Sequence, residues 1–267
     1  MIRSFIRAAL FALTAAALSI GTMVQAAELT VSAAASLQNA FREIAAAWEQ
    51  QHPGDRVLLN FAASGTLLQQ IIQGAPVDIF ASADEETMDR ATDKGQVDEA
   101  TRRDFAANTL VVIVPTRVPA AQMPGSLAAL HAPSVERIAI GDPRSVPAGR
   151  YARAALQAAP GASGDSGTDG YQALEAKWIH AQSVRQVLDY VARGEVDAGF
   201  VYATDAALMK ESVRIAFPIK GNDPVRYPVA VLRHAPQRAL AASFVDFLVT
   251  PQGQEILARY GFAPPVQ

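Results

Sequence analysis

The chain has 267 residues, half of them hydrophobic, and a formal net charge of −3. This length is sufficient for one large domain or two small ones with apolar cores. The lack of basic runs and of interleaved aromatic and basic residues argues against a nucleic-acid partner. Because the chain contains no cysteine, disulfide bonds and a lipid-bearing cysteine are both excluded.

The first 26 residues are typical of a secretory signal peptide. Arg3 and Arg7 give a basic start, an apolar run covers 8–20, and the sequence VQA ends at a predicted cleavage site after Ala26. The apolar run is short for a membrane-spanning helix, so a membrane anchor is the weaker interpretation. Cleavage leaves 241 residues with 21 basic and 26 acidic side chains, a net charge of −5. We therefore expect an exported protein, located in the periplasm of a two-membrane bacterium.

Strand-like runs alternate with helical patterns along the rest of the chain. Strands are predicted at 28–33, 56–61, 77–81, 109–114, 137–140, 197–202, 213–217 and 228–232. Helices are predicted at 37–51, 65–73, 83–93, 99–106, 148–158, 171–177, 184–193, 204–209, 236–249 and 251–259. This alternation predicts an α/β fold with mostly parallel sheets flanked by helices. In such sheets, ligands bind at the carboxyl ends of the strands.

Two segments share one pattern in which a strand ends at a serine and a helix begins. Ser36 follows the first predicted strand, and Ser64 follows the second. Helix N-termini carry unpaired backbone N–H groups and the positive end of the helix dipole, so the pair suits an anion. The alternative is that both serines are ordinary N-caps. Because the net charge is negative, an anion site here must act through short-range hydrogen bonds.

Several other polar features have structural explanations. The stretch PGASGDSGTDG at 160–170 is predicted as a surface loop, so its GDSG sequence does not indicate a protease nucleophile. The acidic run 84–86 follows Ser82 in a capping-box pattern and suits the first turn of a helix. The histidines show no metal-binding spacing; they are His52, His131, His180 and His234.

An ordered set of motifs resembles a known family. The motifs are AAASLQNAF, FAASGTLLQQIIQGAPVDIFASAD, GDPRSVPAGRYARAAL, GFVYATDA, YPVAVL and TPQGQEILARYGF. Together they run from about Leu29 to Phe262, and they resemble the periplasmic molybdate-binding proteins of ABC transporters. One such motif would be weak evidence of kinship, but the ordered set is specific.

The resemblance implies a two-lobed, type II periplasmic binding protein fold with the ligand cleft between the lobes. The first lobe would comprise 28–107 and 229–267, and the second would comprise 108–228. The chain would cross between the lobes near 108–111 and 227–229. A monomer without a cofactor or catalytic residues is implied.

The resemblance also implies a site for molybdenum as the molybdate oxyanion, held by uncharged donors. The residues that match the family's motif positions are Ser36, Ser64, Ala148, Val184 and Tyr202. The serines and the tyrosine would donate hydroxyl protons, while Ala148 and Val184 would donate backbone N–H groups. Arg144 and Arg185 lie near these positions in sequence and are expected to be solvated or neighbouring side chains.

Two departures from the family pattern are visible. Gly65 replaces a small hydroxyl residue, a change expected to cost little because the backbone amide remains. The loop at 160–170 lengthens the spacing between Ala148 and Val184, which leaves the register of Val184 open.

The implied function is capture of molybdate, and of tungstate, for delivery to an inner-membrane permease and its ATPase. A tetrahedral dianion offers four acceptor oxygens and no proton, so a pocket made only of donors satisfies it. Sulfate, thiosulfate and phosphate remain alternatives, because they present similar acceptors. A serine hydrolase is disfavoured by the lack of a G-x-S-x-G motif, and a DNA-binding regulator by the signal peptide.

Overall fold

The computed structural model describes residues 27–159, 169–219 and 225–266. The predicted signal peptide, and all but the last two residues of the 160–170 loop, lie outside the described residues. Across the described ranges, no helix combines the length and the hydropathy needed to span a bilayer.

Eight of the ten strands and all eight α-helices of the described residues match elements that the sequence predicts. In chain order the strands are β1 (Glu28–Ala34), β2 (Arg56–Ala62), β3 (Ile79–Ala81), β4 (Arg103–Asn108), β5 (Leu110–Pro115), β6 (Ile138–Gly141), β7 (Trp178–Ala181), β8 (Ala198–Tyr202), β9 (Val213–Pro218) and β10 (Val225–Val231). The α-helices are α1 (Gln38–Gln51), α2 (Ser64–Ile72), α3 (Glu85–Asp93), α4 (Pro147–Ala158), α5 (Val184–Arg193), α6 (Ala203–Leu208), α7 (Arg238–Leu248) and α8 (Pro251–Arg259).

The strands form two five-stranded sheets, one in each lobe. The first sheet has the order β2-β1-β3-β10-β4, and the second has the order β7-β6-β8-β5-β9. In each sheet one strand, β10 or β5, runs antiparallel to both of its neighbours. The other four strands share one direction, which confirms the predicted two-lobed α/β fold with mostly parallel sheets.

Helix burial follows the hydrophobic spacing of the sequence. The buried side chains of α1 include Phe41, Ile44 and Trp48, three to four residues apart, so they form one stripe against the sheet. Helix α5 begins at Ser183, whose side chain accepts the Gln186 N–H, and ends at Gly194 in the left-handed region with φ 69°. These capping residues confirm the boundaries predicted for this helix.

Two predicted helices are wrong in type. The predicted helix 99–106 is instead a short 3-10 turn, Glu99–Thr101, followed by strand β4. Glu99, Ala100 and the arginines of this segment favour a helix locally, but pairing with β10 overrides that preference and produces a strand. The segment 171–177 forms a 3-10 helix, Gln172–Lys177, and the unpredicted edge strand β7 follows it. The cap of α3 is Asp84, whose side chain accepts the Thr87 N–H, rather than Ser82.

The chain passes between the sheets at two places. Strand β4 ends at Asn108 and β5 begins at Leu110, so Thr109 lies at the first passage. The second passage lies between Pro218 and Val225, and includes residues outside the described ranges. Strand β10 joins the first sheet from Val225 onward, upstream of the boundary expected at 228/229. The division into lobes at 107/108 and 228/229 therefore stays a prediction.

Candidate anion-binding site

All five residues predicted from the motifs line one small cavity between the lobes. Its lining consists of Ala34, Ala35, Ser36, Ala63, Ser64, Ala83, Val146, Pro147, Ala148, Val184 and Tyr202. None of these described residues carries a charge. A cavity with this lining suits one small polar ligand rather than a sugar or a peptide.

Strand register in the first lobe brings the two serines together. Strands β1 and β2 pair in parallel from Glu28 opposite Arg56 to Ala34 opposite Ala62, so both end at the same edge of the sheet. Ser36 and Ser64 follow directly after these two ends and are buried. The repeated strand–serine–helix pattern of the sequence therefore produces two hydroxyl groups on one wall of the cavity.

The serine side chains do not cap their helices. The N-terminal caps of α1 and α2 receive no side-chain hydrogen bond, which rules out the N-cap interpretation. Ser64 Oγ accepts the backbone N–H of Ala83 at 3.0 Å. Ser36 Oγ lies 3.1 Å from the hydroxyl of Tyr227. Both side chains are thus held at the cavity by partners from other elements.

The second lobe supplies the opposite wall. Strands β6 and β8 pair in parallel; β6 ends at Gly141, upstream of Ala148, and Tyr202 is the last residue of β8. Ala148 and Val184 lie in the first turns of α4 and α5, where backbone N–H groups have no acceptor within the helix. Val184 lines the cavity even though the inserted loop lengthens the spacing before it.

The hydroxyl of Tyr202 is buried without a hydrogen-bond partner among the described residues. Burial raises the pKa of Tyr202 well above its ordinary value, so the hydroxyl keeps its proton. An unpaired buried hydroxyl is unfavourable by about 1–3 kcal/mol. A ligand in the cavity that accepted a hydrogen bond from this hydroxyl would remove the cost.

Two arginines lie near the site but are paired with carboxylates. Arg150 Nε donates to Asp84 Oδ2 at 2.7 Å. Arg185 Nε lies 2.7 Å from Oδ1 of Asp205, but the groups are too poorly aligned for a hydrogen bond between these atoms. Because each positive charge is compensated locally, any ligand in the cavity would be held mainly by neutral donors. Arg144 pairs with Asp142 and is largely exposed, so it does not reach the cavity.

The lobes contact each other directly around the cavity. The Gly65 N–H of α2 donates to the Ser145 carbonyl of the second lobe at 2.9 Å. Arg185 donates through one Nη to the Ser36 carbonyl at 2.9 Å, and the Arg150–Asp84 pair also joins the lobes. The structure is therefore closed. It also corrects one expectation: the Gly65 amide is used for closure and is not available to a ligand.

Sequence reasoning missed these closing contacts and Tyr227. Asp84 was interpreted only as a residue of a helix first turn, and it does cap α3, but it also binds Arg150 across the cleft. The partners lie far apart in the chain, so no local pattern signals them. Among the described residues, no cluster of three potential metal-ligating side chains is present.

The carboxyl group of Asp205 gives a testable dependence of stability on pH. Burial raises the pKa of this group from 3.8 to about 6, and the nearby Arg185 opposes the shift. Between these two values the folded chain binds more protons than the unfolded chain. The free energy of unfolding should therefore fall as the pH rises from about 4 to 6, by about 3 kcal/mol at most from this group.

Urea denaturation at pH 4.5 and at pH 7 would measure this effect. Asp205→Asn removes the titrating carboxyl group. We therefore expect acidification from pH 7 to pH 4.5 to increase the free energy of unfolding less in this variant than in the wild type. Identical pH dependence in the two proteins would contradict the assignment. Asp55→Asn, a substitution of a more exposed carboxyl group, is the matched control.

The fold and the cavity define a class of protein. Two α/β lobes close over a small uncharged cavity at the carboxyl ends of their strands, as in type II periplasmic binding proteins. Residues 29–263 match the family model described as bacterial extracellular solute-binding protein. The chain belongs to this family, and it is a binding protein rather than an enzyme with a resident cofactor.

Individual relatives agree with this placement. The molybdate-binding protein ModA of Escherichia coli is 39% identical over 238 residues, which cover 88% of each chain. The solved periplasmic molybdate-binding protein of Azotobacter vinelandii superposes with a TM-score of 0.74 at 23% identity, covering 89% of this chain and all of the other. The solved sulfate-binding protein SubI of Mycobacterium tuberculosis superposes with a TM-score of 0.76 at 20% identity, covering 89% of this chain and 87% of the other. These two solved structures show the shared fold alone.

Proposed function

We propose that this protein captures molybdate in the periplasm and delivers it to an ABC-type importer of the inner membrane. The observation that carries the proposal is the unpaired, protonated Tyr202 hydroxyl in a cavity that also has two serine side chains and two helix first turns. The identity to a molybdate-binding relative over most of both chains supports the choice of ligand. The apolar N-terminal segment supports export.

The proposed ligand set is Ser36, Ser64, Ala148, Val184 and Tyr202. Three hydroxyl groups and two backbone amides are all able to donate, and molybdate accepts at all four oxygens. Hydrogen bonds to a charged group contribute about 1.5–3 kcal/mol each. Five such bonds would together contribute about 7.5–15 kcal/mol, a range that includes the roughly 8 kcal/mol that corresponds to a dissociation constant of 1 μM. The set can therefore supply the free energy that a micromolar or tighter site requires.

Molybdate is proposed to act by bridging the lobes. Ser36 and Ser64 belong to the first lobe, and the other three ligands belong to the second. An anion that contacts both walls binds only the closed form, so it shifts the population from open to closed. The closed form would be the state that the permease and its ATPase recognise, with the binding protein acting as a monomer.

Calorimetric titration of the purified protein with molybdate, tungstate and sulfate tests the proposal. We expect one-to-one binding of molybdate and tungstate, because they have the same charge and nearly the same size, and no heat from sulfate. Tight binding of sulfate alone would instead support the alternative function, a binding protein for another oxyanion such as sulfate or thiosulfate. No heat from any of the three would contradict an oxyanion function of this kind.

The serine assignments give a prediction of their own. Ser36→Ala or Ser64→Ala should weaken molybdate binding by about 10- to 100-fold, the equivalent of one lost charge-assisted hydrogen bond. Each variant should still fold, as thermal melting without ligand would show. Ser243→Ala, which alters a half-buried serine beside His52 and away from the cavity, is the control. If both cavity variants kept full affinity, the site assignment would be wrong.

A further inference from the structure

A chain of buried hydrogen bonds leads to Ser36 from the passage between the lobes. Its members are Asn108, at the end of β4, and Tyr227, on β10, and both are buried. Asn108 Nδ2 lies 3.3 Å from the Tyr227 hydroxyl, which in turn lies 3.1 Å from Ser36 Oγ. Tyr227 does not line the cavity itself. It is therefore separated from any ligand by the Ser36 side chain.

The donor and acceptor roles along this series of hydrogen bonds are determined at Asn108. Asn108 Oδ1 accepts the backbone N–H of Thr109 at 2.9 Å, which identifies the oxygen of the side-chain amide. The other atom is therefore Nδ2, which can only donate. Its two protons are directed to Thr204 Oγ1, at 2.9 Å, and to the Tyr227 hydroxyl.

The Tyr227 proton then has one acceptor. The partners of the Tyr227 hydroxyl in the described part of the chain are Asn108 and Ser36, and Asn108 presents a donor. If Ser36 donated to Tyr227, the buried Tyr227 proton would have no acceptor, which is unfavourable. Tyr227 therefore donates to Ser36 Oγ. The Ser36 proton is left to point elsewhere, and the cavity is the space that Ser36 lines.

We propose that Tyr227 is a positioning residue that turns the Ser36 hydroxyl into an obligatory donor toward the bound anion. The inference rests on the proposed function, because it assumes an anion in the cavity. Ser64 has a parallel arrangement, in which the Ala83 N–H occupies an acceptor position of the hydroxyl. Both serine hydroxyls on this wall therefore accept a hydrogen bond from the protein and keep their own protons for a ligand that can only accept. The orientation is present before the anion arrives, so it need not be imposed on binding.

A double-mutant cycle tests whether Tyr227 acts through Ser36. Molybdate affinity is measured by calorimetry for the wild type, Tyr227→Phe, Ser36→Ala and the double variant. We expect Tyr227→Phe to lower affinity about 10-fold when Ser36 is present, and less than about twofold when Ser36 is alanine. A merely structural role of Tyr227 would give the same loss in both backgrounds, and that result would overturn the proposal. An unchanged affinity in the first background would also overturn it.

Two controls keep the outcomes distinct. Tyr260→Phe removes a tyrosine hydrogen bond to Glu43, outside the cavity, and should leave affinity unchanged. If Tyr227→Phe fails to fold, as judged by thermal melting, Asn108→Ala takes its place and must show the same dependence on Ser36. A wild-type protein that does not bind molybdate would overturn the proposed function and this inference together. Binding by the wild type with equal losses in both backgrounds would overturn the inference alone.

Discussion

Replacing Gly65 by alanine is expected to lower the affinity for molybdate by about 10- to 100-fold without destabilising the ligand-free protein. A Cβ atom at this position would lie 2.7 Å from the Ser145 carbonyl oxygen and 2.8 Å from its Cα. Both are backbone atoms of the opposite lobe, so the clash arises only when the lobes close. Overpacking of this kind typically costs about 1–3 kcal/mol, and here the cost falls on the bound state.

The open protein should tolerate the same change. Gly65 lies in the first turn of α2, and alanine is a better helix former than glycine. Thermal melting without ligand should therefore be unchanged or slightly higher, while calorimetry with molybdate shows the loss. Gly125→Ala is the matched control, since a Cβ there would contact nothing within 4 Å. Wild-type affinity in Gly65→Ala would show that ligand binding does not need this approach of the lobes.

Replacing Tyr202 by phenylalanine is expected to weaken molybdate binding by about 10-fold and to favour closure of the empty protein. In the closed form the Tyr202 hydroxyl is buried without a partner among the described residues, and this penalty is expected to oppose closure of the ligand-free lobes. Phenylalanine has no hydroxyl to desolvate, so empty closure becomes easier. The anion, however, loses one hydrogen bond, which outweighs the gain from easier closure.

The two effects have different readouts. Calorimetry measures the loss of affinity, and small-angle X-ray scattering of the ligand-free protein measures closure as a smaller radius of gyration. Tyr260→Phe again serves as the control, because its hydroxyl is paired with Glu43. A variant with full affinity would remove Tyr202 from the ligand set. A variant with reduced affinity and an unchanged ligand-free radius would show that the hydroxyl does not oppose empty closure.

Together the two substitutions separate the requirements for binding. Gly65→Ala leaves all the proposed ligands in place and obstructs the approach of the lobes. Tyr202→Phe leaves the approach intact and removes one donor. Both are expected to lower affinity, but they should shift the ligand-free population in different ways, since only the second makes closure more favourable.

In the candidate site, the two serines could be predicted from a local sequence pattern, whereas Ala148, Val184 and Tyr202 were implied only by the family resemblance. Hydrophobic periodicity predicts the strands and helices, and a serine that follows a predicted strand can be identified from the sequence. The boundaries of α5, between Ser183 and Gly194, were predicted for the same reason. The helix predicted for 99–106 from its local preference was wrong, because pairing with the distant β10 produced strand β4 instead.

The sequence by itself determined the order of most strands and helices, the two strand–serine–helix units and the motifs that mark the family. Only the tertiary structure decided what those residues contact. It assigned the Gly65 amide to Ser145, paired Asp84 with Arg150, and placed Tyr227 behind Ser36, 191 positions away in the chain. The physical reason is that a helix start or a buried strand is encoded by neighbouring residues. A hydrogen bond across the cleft depends on the register of two sheets and the closure of two lobes.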